Sequence, residues 1–298
     1  MQQSLSERIL EKMPSFSKGQ KRIATYILEH YKEAAFMTAC KLGATVDVSE
    51  STVVRFAAEL DFAGYPELQH ALQEMVRSRL TSLQRIEVAR SRMADTEVLD
   101  HVLSCDMQNI RHTLDELPRE TFYNAVDALV GARRVYVFGA GSCRALANFS
   151  AHYLKLLLPD VQLVYTNSNM EILEDMLSMG PEDALLILSF PRYSSKAVNT
   201  VDFAHKRGAK IIALTDSRLS PIAPYASHLL LAHSDMATLV DSLVAPLSVL
   251  NSLIVAVSLR RMEQNREALT ELEQLWAEYG VYQPFTSEVE PIAEEPQA

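Results

Sequence analysis

Two small groups of residues in this 298-residue chain have the types and spacing to do chemistry. In the first, Gly141 and Ser142 close the run Val135-Tyr136-Val137-Phe138-Gly139-Ala140-Gly141-Ser142. Ser189, Arg192, Ser194 and Ser195 crowd into one later loop. Backbone N–H groups, hydroxyls and a guanidinium suit a carboxylate or a phosphate, because Arg meets either through a two-point fork. The second group is Ser49, Glu50, Ser51, Thr52, Val54 and Arg55, with the cations Lys18, Lys21 and Arg22 upstream. Short polar side chains and an arginine at the start of a helix can read base edges, and lysines nearby can hold phosphates.

The elements that must position the first group follow from the apolar pattern. Val135 to Ser142 reads as a buried strand and a tight turn, and the amphipathic stretch 144–158 follows as a helix. Further apolar runs fall at 161–165, 184–190, 210–214 and 228–232, with helical stretches at 169–179 and 194–207. The link 216–227 holds Pro221 and Pro224 and reads as a loop or a short turn of helix. Strands alternating with helices imply a doubly wound sheet of five parallel strands, with ligands at the strands' carboxyl ends. Residues 239–263 are expected to form one long apolar helix covering a face. Residues 266–279 are expected to form a closing amphipathic helix through Leu269, Leu272, Leu275, Trp276 and Tyr279.

The second group lies in an all-helical part. Leu5, Ile9 and Met13 form a stripe that Pro14 stops. Ser17 can cap a helix over 18–30, and a turn of helix is expected at 34–37. The following stretch has helix-turn-helix mechanics. Gly43 is small where two helices cross, and Asp47 sits where left-handed geometry is wanted. Val48 plugs the turn, Ser49 caps the next helix, and Val53 and Phe56 point inward. Glu50, Ser51, Val54 and Arg55 are left outward. Helices are then expected from Pro66 to about Met93, from Glu97 to about Leu117 and from Arg119 to Val130. The implied division is a helix-turn-helix domain (1–80), a helical connector (81–118), an α/β domain (119–280) and an acidic tail (281–298). Low apolar content and two prolines in the tail's last residues imply disorder.

Composition narrows the classes. The chain is 48% apolar and 22% charged, an ordinary globular balance. Its net charge of −10 argues against a protein coated for non-specific nucleic-acid binding. Residues 1–80 carry ten basic and ten acidic residues, so the whole excess lies beyond them. Cys40, Cys105 and Cys143 are odd in number and far apart, which implies a reducing cytoplasm. There is no CxxC or HxxxH spacing, so no metal site is expected, and no cofactor. The N-terminus shows no signal pattern. The most apolar stretch, 239–259, is broken by Asp241, Pro246 and Asn251, so no membrane partner is expected.

Residues 4–80, through Val48-Ser49-Glu50-Ser51-Thr52-Val53-Val54-Arg55-Phe56, resemble the N-terminal domain of RpiR-type bacterial transcriptional regulators. Residues 120–260, through Gly139-Ala140-Gly141-Ser142 and the 189–194 loop, resemble the sugar-isomerase (SIS) domain those regulators carry. The resemblance implies a regulator of double-stranded operator DNA that senses a small metabolite, commonly a phosphosugar, and works as a homodimer or homotetramer. In SIS domains a serine of the first loop and a Ser-x-Ser-Gly-x-Ser/Thr loop hold the phosphate. Ser142 matches the first. In Ser189-Phe190-Pro191-Arg192-Tyr193-Ser194 the outer hydroxyls are kept, while Pro191 replaces the third-position serine and Arg192 the glycine. The expectation is therefore an anionic effector, a phosphosugar or a sugar acid. In the first module, Gly43 stands where the family usually has alanine and Asp47 where it usually has glycine.

Two other readings compete. A sugar-phosphate isomerase or deaminase would need a general base, and His152, Glu171, Glu174, His228 and His233 are available. The missing serine counts against turnover, so the chain is expected not to be an enzyme. A dinucleotide enzyme is weaker still, since Arg144 stands at the third-glycine position and no acidic residue ends the second strand.

Overall fold

A computed structural model describes residues 5–79, 83, 97–166, 168–235 and 240–283. The first part is all helical: α1 (Leu5–Lys12), α2 (Lys18–Glu29), α3 (Tyr31–Ala34), α4 (Ala39–Thr45), α5 (Glu50–Glu59) and α6 (Tyr65–Arg79). Its core is one cluster that includes Ile9, Ile23, Ile27, Leu42, Val53, Phe56, Leu60, Leu68 and Leu72. Ser17 and Gln20 form a reciprocal capping box at the start of α2. The short helix α3 falls a turn earlier than 34–37. Ala34 and Ala35 are both buried there, and Thr38 is left outside to cap α4, accepting from the Lys41 N–H at 3.2 Å. Burial pushes the Tyr65 hydroxyl up to about 12, and that hydroxyl donates to the Met37 carbonyl at 2.7 Å. The expected extension of α6 towards Met93 and the tail beyond 283 lie outside the described residues.

The second part opens with α7 (Val98–Glu116) and α8 (Arg119–Val130). It continues as β1 (Val135–Gly139), α9 (Cys143–Leu157), β2 (Val161–Leu163), α10 (Asn169–Asp175), β3 (Ala184–Leu188), α11 (Ser195–Lys206), β4 (Lys210–Thr215) and β5 (His228–Leu231). The five strands pair in parallel in the order β2-β1-β3-β4-β5. Every residue of β1 and β3 is buried, as a sheet covered on both faces requires. One face packs Val135, Val137, Leu186 and Leu188 against α9, α8 and α12 (Val244–Arg260). The other packs Tyr136, Phe138, Leu185 and Ile187 against α10 and α11.

At the amino edge of the sheet, Arg133 grips the buried Asp183 through two hydrogen bonds of 2.9 and 2.7 Å. Burial alone would raise the Asp183 carboxyl. The Arg133 bond and the Gly180 N–H at 2.8 Å outweigh it and hold the carboxyl below its ordinary range.

The helix expected over 239–263 is the shorter α12, which ends at Arg260, and the one expected over 266–279 begins earlier, at Met262. After α12 the chain bends by 100° into α13 (Met262–Glu278). Neither proline nor glycine marks the bend. Asn265 is anchored there, its side chain donating to the Leu157 carbonyl at 2.8 Å. The helix expected to close the domain leaves it instead: Asn265 is its one buried residue, while Leu275 and Tyr279 are exposed. Among the described residues, no single helix is long and apolar enough to cross a membrane.

Candidate functional site

The order β2-β1-β3 places the switch point of the sheet between β1 and β3, the place where open α/β sheets hold ligands. Gly139 pairs with Leu188, so the loops after β1 and β3 leave the same edge side by side. Gly139 is required by a close approach: a Cβ there would lie 2.5 Å from the Cys143 carbonyl oxygen. Gly141 takes the left-handed conformation with φ 60. Ser142 occupies the N-cap position of α9, yet its exposed hydroxyl caps no backbone N–H. It rests instead against the thiol of Cys143, which also meets the backbone of Phe190 in the facing loop. Burial pushes that thiol up to about 11, against the smaller opposing pull of the Phe190 backbone and the Ser142 hydroxyl.

In the second loop, Ser189 is buried at the end of β3, and Arg192 is exposed. Arg192 has φ 61, the conformation expected of the glycine it replaces. Ser194 caps α11 through the Lys196 N–H at 3.2 Å, and Ser195 opens the helix, exposed. Three residues outside the expected set, Tyr193, Thr215 and Asp216, complete this edge. Tyr193 donates to Asp216 Oδ1 at 2.9 Å, and Thr215 donates to the Ser189 carbonyl at 2.6 Å. Asp216 directly follows β4, so the carboxyl-end rule was the signal that could have found it. Beside the first loop, the Arg144 guanidinium lies 4.9 Å over the Tyr165 ring.

The residues weighed as a general base do not converge. His228 is the first residue of β5, at the opposite edge, and burial followed by the Lys210 charge lowers its pKa. His152, Glu171 and Glu174 are exposed on α9 and α10. His233 reaches the right edge but lies 2.9 Å from Glu116 on α7.

In the helical module, Asp47 adopts φ 52 at the turn between α4 and α5. A Cβ on Gly43 would come within 2.8 Å of the Val48 carbonyl oxygen, so the crossing admits only glycine without adjustment. Ser49 sits at the N-cap of α5 as expected, but its hydroxyl caps no N–H. It bonds the hydroxyls of Ser51 and Thr52 instead, both at 2.9 Å. Glu50, Ser51, Val54 and Arg55 are exposed, and the Arg55 side chain lies back on the Ser51 carbonyl at 3.3 Å. Lys18, Lys21 and Arg22 are exposed on α2. Arg22 has a structural task, bonding the Asp47 carbonyl and meeting its carboxylate at 3.1 Å. The N-terminal ends of α2 and α5 share a groove lined by Ser17, Gln20, Arg22, Ser49, Thr52 and Arg55.

This is a helix-turn-helix module joined to a sugar-isomerase-type α/β domain. Residues 3–79 match the helix-turn-helix domain of the rpiR family, and residues 128–256 match the SIS domain. The chain belongs to the RpiR-type proteins that combine these two domains. It is 23% identical over 276 residues to the HTH-type transcriptional regulator HexR of Escherichia coli, covering 91% of this chain and 93% of that one. It is 26% identical over 273 residues to the bifunctional protein glk of Burkholderia orbicola, and there it spans 88% of itself but 40% of the relative. The sugar isomerase domain of an RpiR transcription factor from Sphaerobacter thermophilus superposes with a TM-score of 0.57 at 28% identity, over 60% of this chain and 99% of that one. The Vibrio vulnificus NanR protein, solved with ManNAc-6P, shares the fold with a TM-score of 0.58 at 18% identity, over 92% of this chain and 98% of that one.

Proposed function

We propose that this chain is a DNA-binding transcriptional regulator, not an enzyme, whose SIS domain senses a small anionic metabolite, a phosphosugar or a sugar acid. The observation that carries the effector reading is the switch-point edge. Gly141, Ser142, Ser189, Ser194 and Ser195 lie in the two loops that leave β1 and β3 there. Arg192 holds the glycine-like backbone while offering a guanidinium. The anionic ligand of the Vibrio NanR structure is consistent with this. Arg55, Val54, Ser51 and Glu50 on the outer face of α5 read the bases, with Lys18 and Lys21 on phosphates. Arg22 holds the turn that presents them.

A second copy of the chain completes the reader, because one such module makes few base contacts. The surface for it is the apolar stripe Leu99, Leu103, Met107, Ile110 and Leu114 along α7, all exposed. It borders a groove of 390 Å³ against α8 and α12. The reading places the protein in the cytoplasm, where its DNA is.

The test is a thermal-shift screen of phosphosugars, sugar acids and inorganic phosphate, followed by gel shifts with and without the hit. A ligand at about 100 times its dissociation constant adds about 2.7 kcal/mol. Stabilisation by neutral sugars but not by their phosphates or acids would remove the anion reading. Turnover of a phosphosugar by the purified chain would remove the regulator-only reading.

A further inference from the structure

The connector helix α7 carries a second stripe, polar where the first is apolar. Asp106, Asn109, Thr113 and Glu116 recur at helical spacing and so share one face. Asn109 and Thr113 are buried, 1% and 5% exposed. Each of the four bonds the chain that follows β5. The Asn109 amide donates to the Asp235 carbonyl at 3.0 Å, and its oxygen accepts the Asp235 N–H at 3.1 Å. The Thr113 hydroxyl accepts the His233 N–H at 2.8 Å, while His233 Nε2 lies 2.9 Å from Glu116. Ser242 donates to Asp106 at 2.6 Å. A buried amide that satisfies both polar groups of one distant residue fixes position within a few tenths of an ångström, since a misaligned partner would leave both unpaired.

The other end of this seam reaches the effector edge. The Ala232 N–H donates to the Thr215 carbonyl at 2.9 Å. Thr215 also donates its hydroxyl to the Ser189 carbonyl, and the neighbouring Asp216 accepts from Tyr193. Unbroken hydrogen bonds and adjacent residues thus run from the loop holding Arg192, across the ends of β4 and β5, to the polar face of α7. The geometry points to this seam as the device that reports occupancy of the anion site to the connector helix, with Asn109 and Thr113 as its positioning residues. It rests on the anion reading given above. A ligand drawing the 189–195 loop inward shifts the ends of β4 and β5, and α7 follows because leaving its buried polar groups unpaired is costly.

Hydrogen exchange on the full chain tests it, with inorganic phosphate as the probe. Three proteins are compared: wild type, Thr113→Val and Asn109→Asp. Both substitutions nearly preserve shape, and each removes one half of a bond, so misfolding of one leaves the other informative. Phosphate at about ten times its dissociation constant slows exchange about tenfold wherever opening is incompatible with binding. In wild type the slowing is expected at 140–146 and 189–195, and also at 232–235 and along α7. Each variant should keep the loop effect and lose the α7 effect. Slowing at the loops without any at α7 in wild type overturns the seam alone. Variants that respond as wild type does remove Asn109 and Thr113 from it. No slowing at the loops removes the anion site, and the seam with it.

Discussion

Asp47 in the helix-turn-helix turn and Arg192 in the loop after β3 share a left-handed backbone but meet its cost differently. Among the described residues, Asp47, Asp61 and Arg192 are the non-glycine residues with positive φ. The two aspartates belong to the DNA-reading module, and each is held by a cation: Asp47 by Arg22 at 3.1 Å, and Asp61 by Lys12 at 2.7 Å. Aspartate is among the side chains that tolerate this conformation, so the module meets a small cost locally. The SIS domain places an arginine in the same geometry, where a long side chain with a Cβ costs roughly 1–2 kcal/mol. The turn spends its side chain on its own shape, whereas the loop after β3 keeps glycine's path and carries an exposed guanidinium, which the proposed effector reading puts to use.

Substitutions at and around these positions test that contrast. The largest effect is expected at a control position with no part in either turn. Asp183→Ala leaves the Gly180 N–H unpaired and opens a void beside the half-exposed Arg133, and should cost about 3 kcal/mol in denaturant unfolding. Phosphate affinity of the folded protein should not change. Because the Asp183 carboxyl is depressed in the fold, its contribution in wild type is complete above the unfolded value and is lost as pH falls below about 4. The Asp183→Ala variant should lack that share of the acid slope.

Next comes Arg192→Ala. A hydrogen bond to a charged group is worth about 1.5–3 kcal/mol, so the effector should weaken by roughly 10- to 150-fold in calorimetry. Arg192→Lys should recover only part of this, because an ammonium cannot make the fork. Unchanged affinity in the alanine variant would make Arg192 a surface residue and erase the contrast.

In the module, Gly43→Ala drives a Cβ to 2.8 Å from the Val48 carbonyl oxygen. It should cost about 1–3 kcal/mol in thermal or denaturant unfolding. A neutral result would show that the α4–α5 crossing yields easily. The smallest effect should be a gain. Arg192→Gly relieves the left-handed strain against glycine's own entropy cost, for a net stabilisation of about 0.5–1 kcal/mol. Its loss of effector affinity should match that of Arg192→Ala. A destabilised glycine variant would mean that the arginine supports the loop itself.

The same residues show what the sequence disclosed. Gly43, Asp47 and the Ser17 cap are local: a few adjacent residues decide backbone geometry, and residue type announces it. The alternation of strands and helices was legible for the same reason, down to the edge that carries Ser142 and Ser189. Partner choice was not legible. Ser49 sits at its cap position, but its hydroxyl turns to Ser51 and Thr52. Arg22 was read as a phosphate contact and is engaged by a residue 25 positions away. Asn265, just past the bend after α12, is engaged by Leu157, 108 positions back. Asp216 became part of the site only when β4 was placed beside β3.

Cys143 offers a clock for the loops it joins. An alkylating reagent meets three thiols in this chain: Cys40 exposed, Cys105 half-buried and Cys143 buried. The first reacts at the pace of open solvent. Cys143 must wait until the β1 and β3 loops part and its thiol ionises, against a pKa near 11. The ratio of the two labelling rates, followed by mass spectrometry, therefore counts how often the site opens. A ligand that bridges Ser142 and the 189–194 loop would slow that clock without touching Cys40.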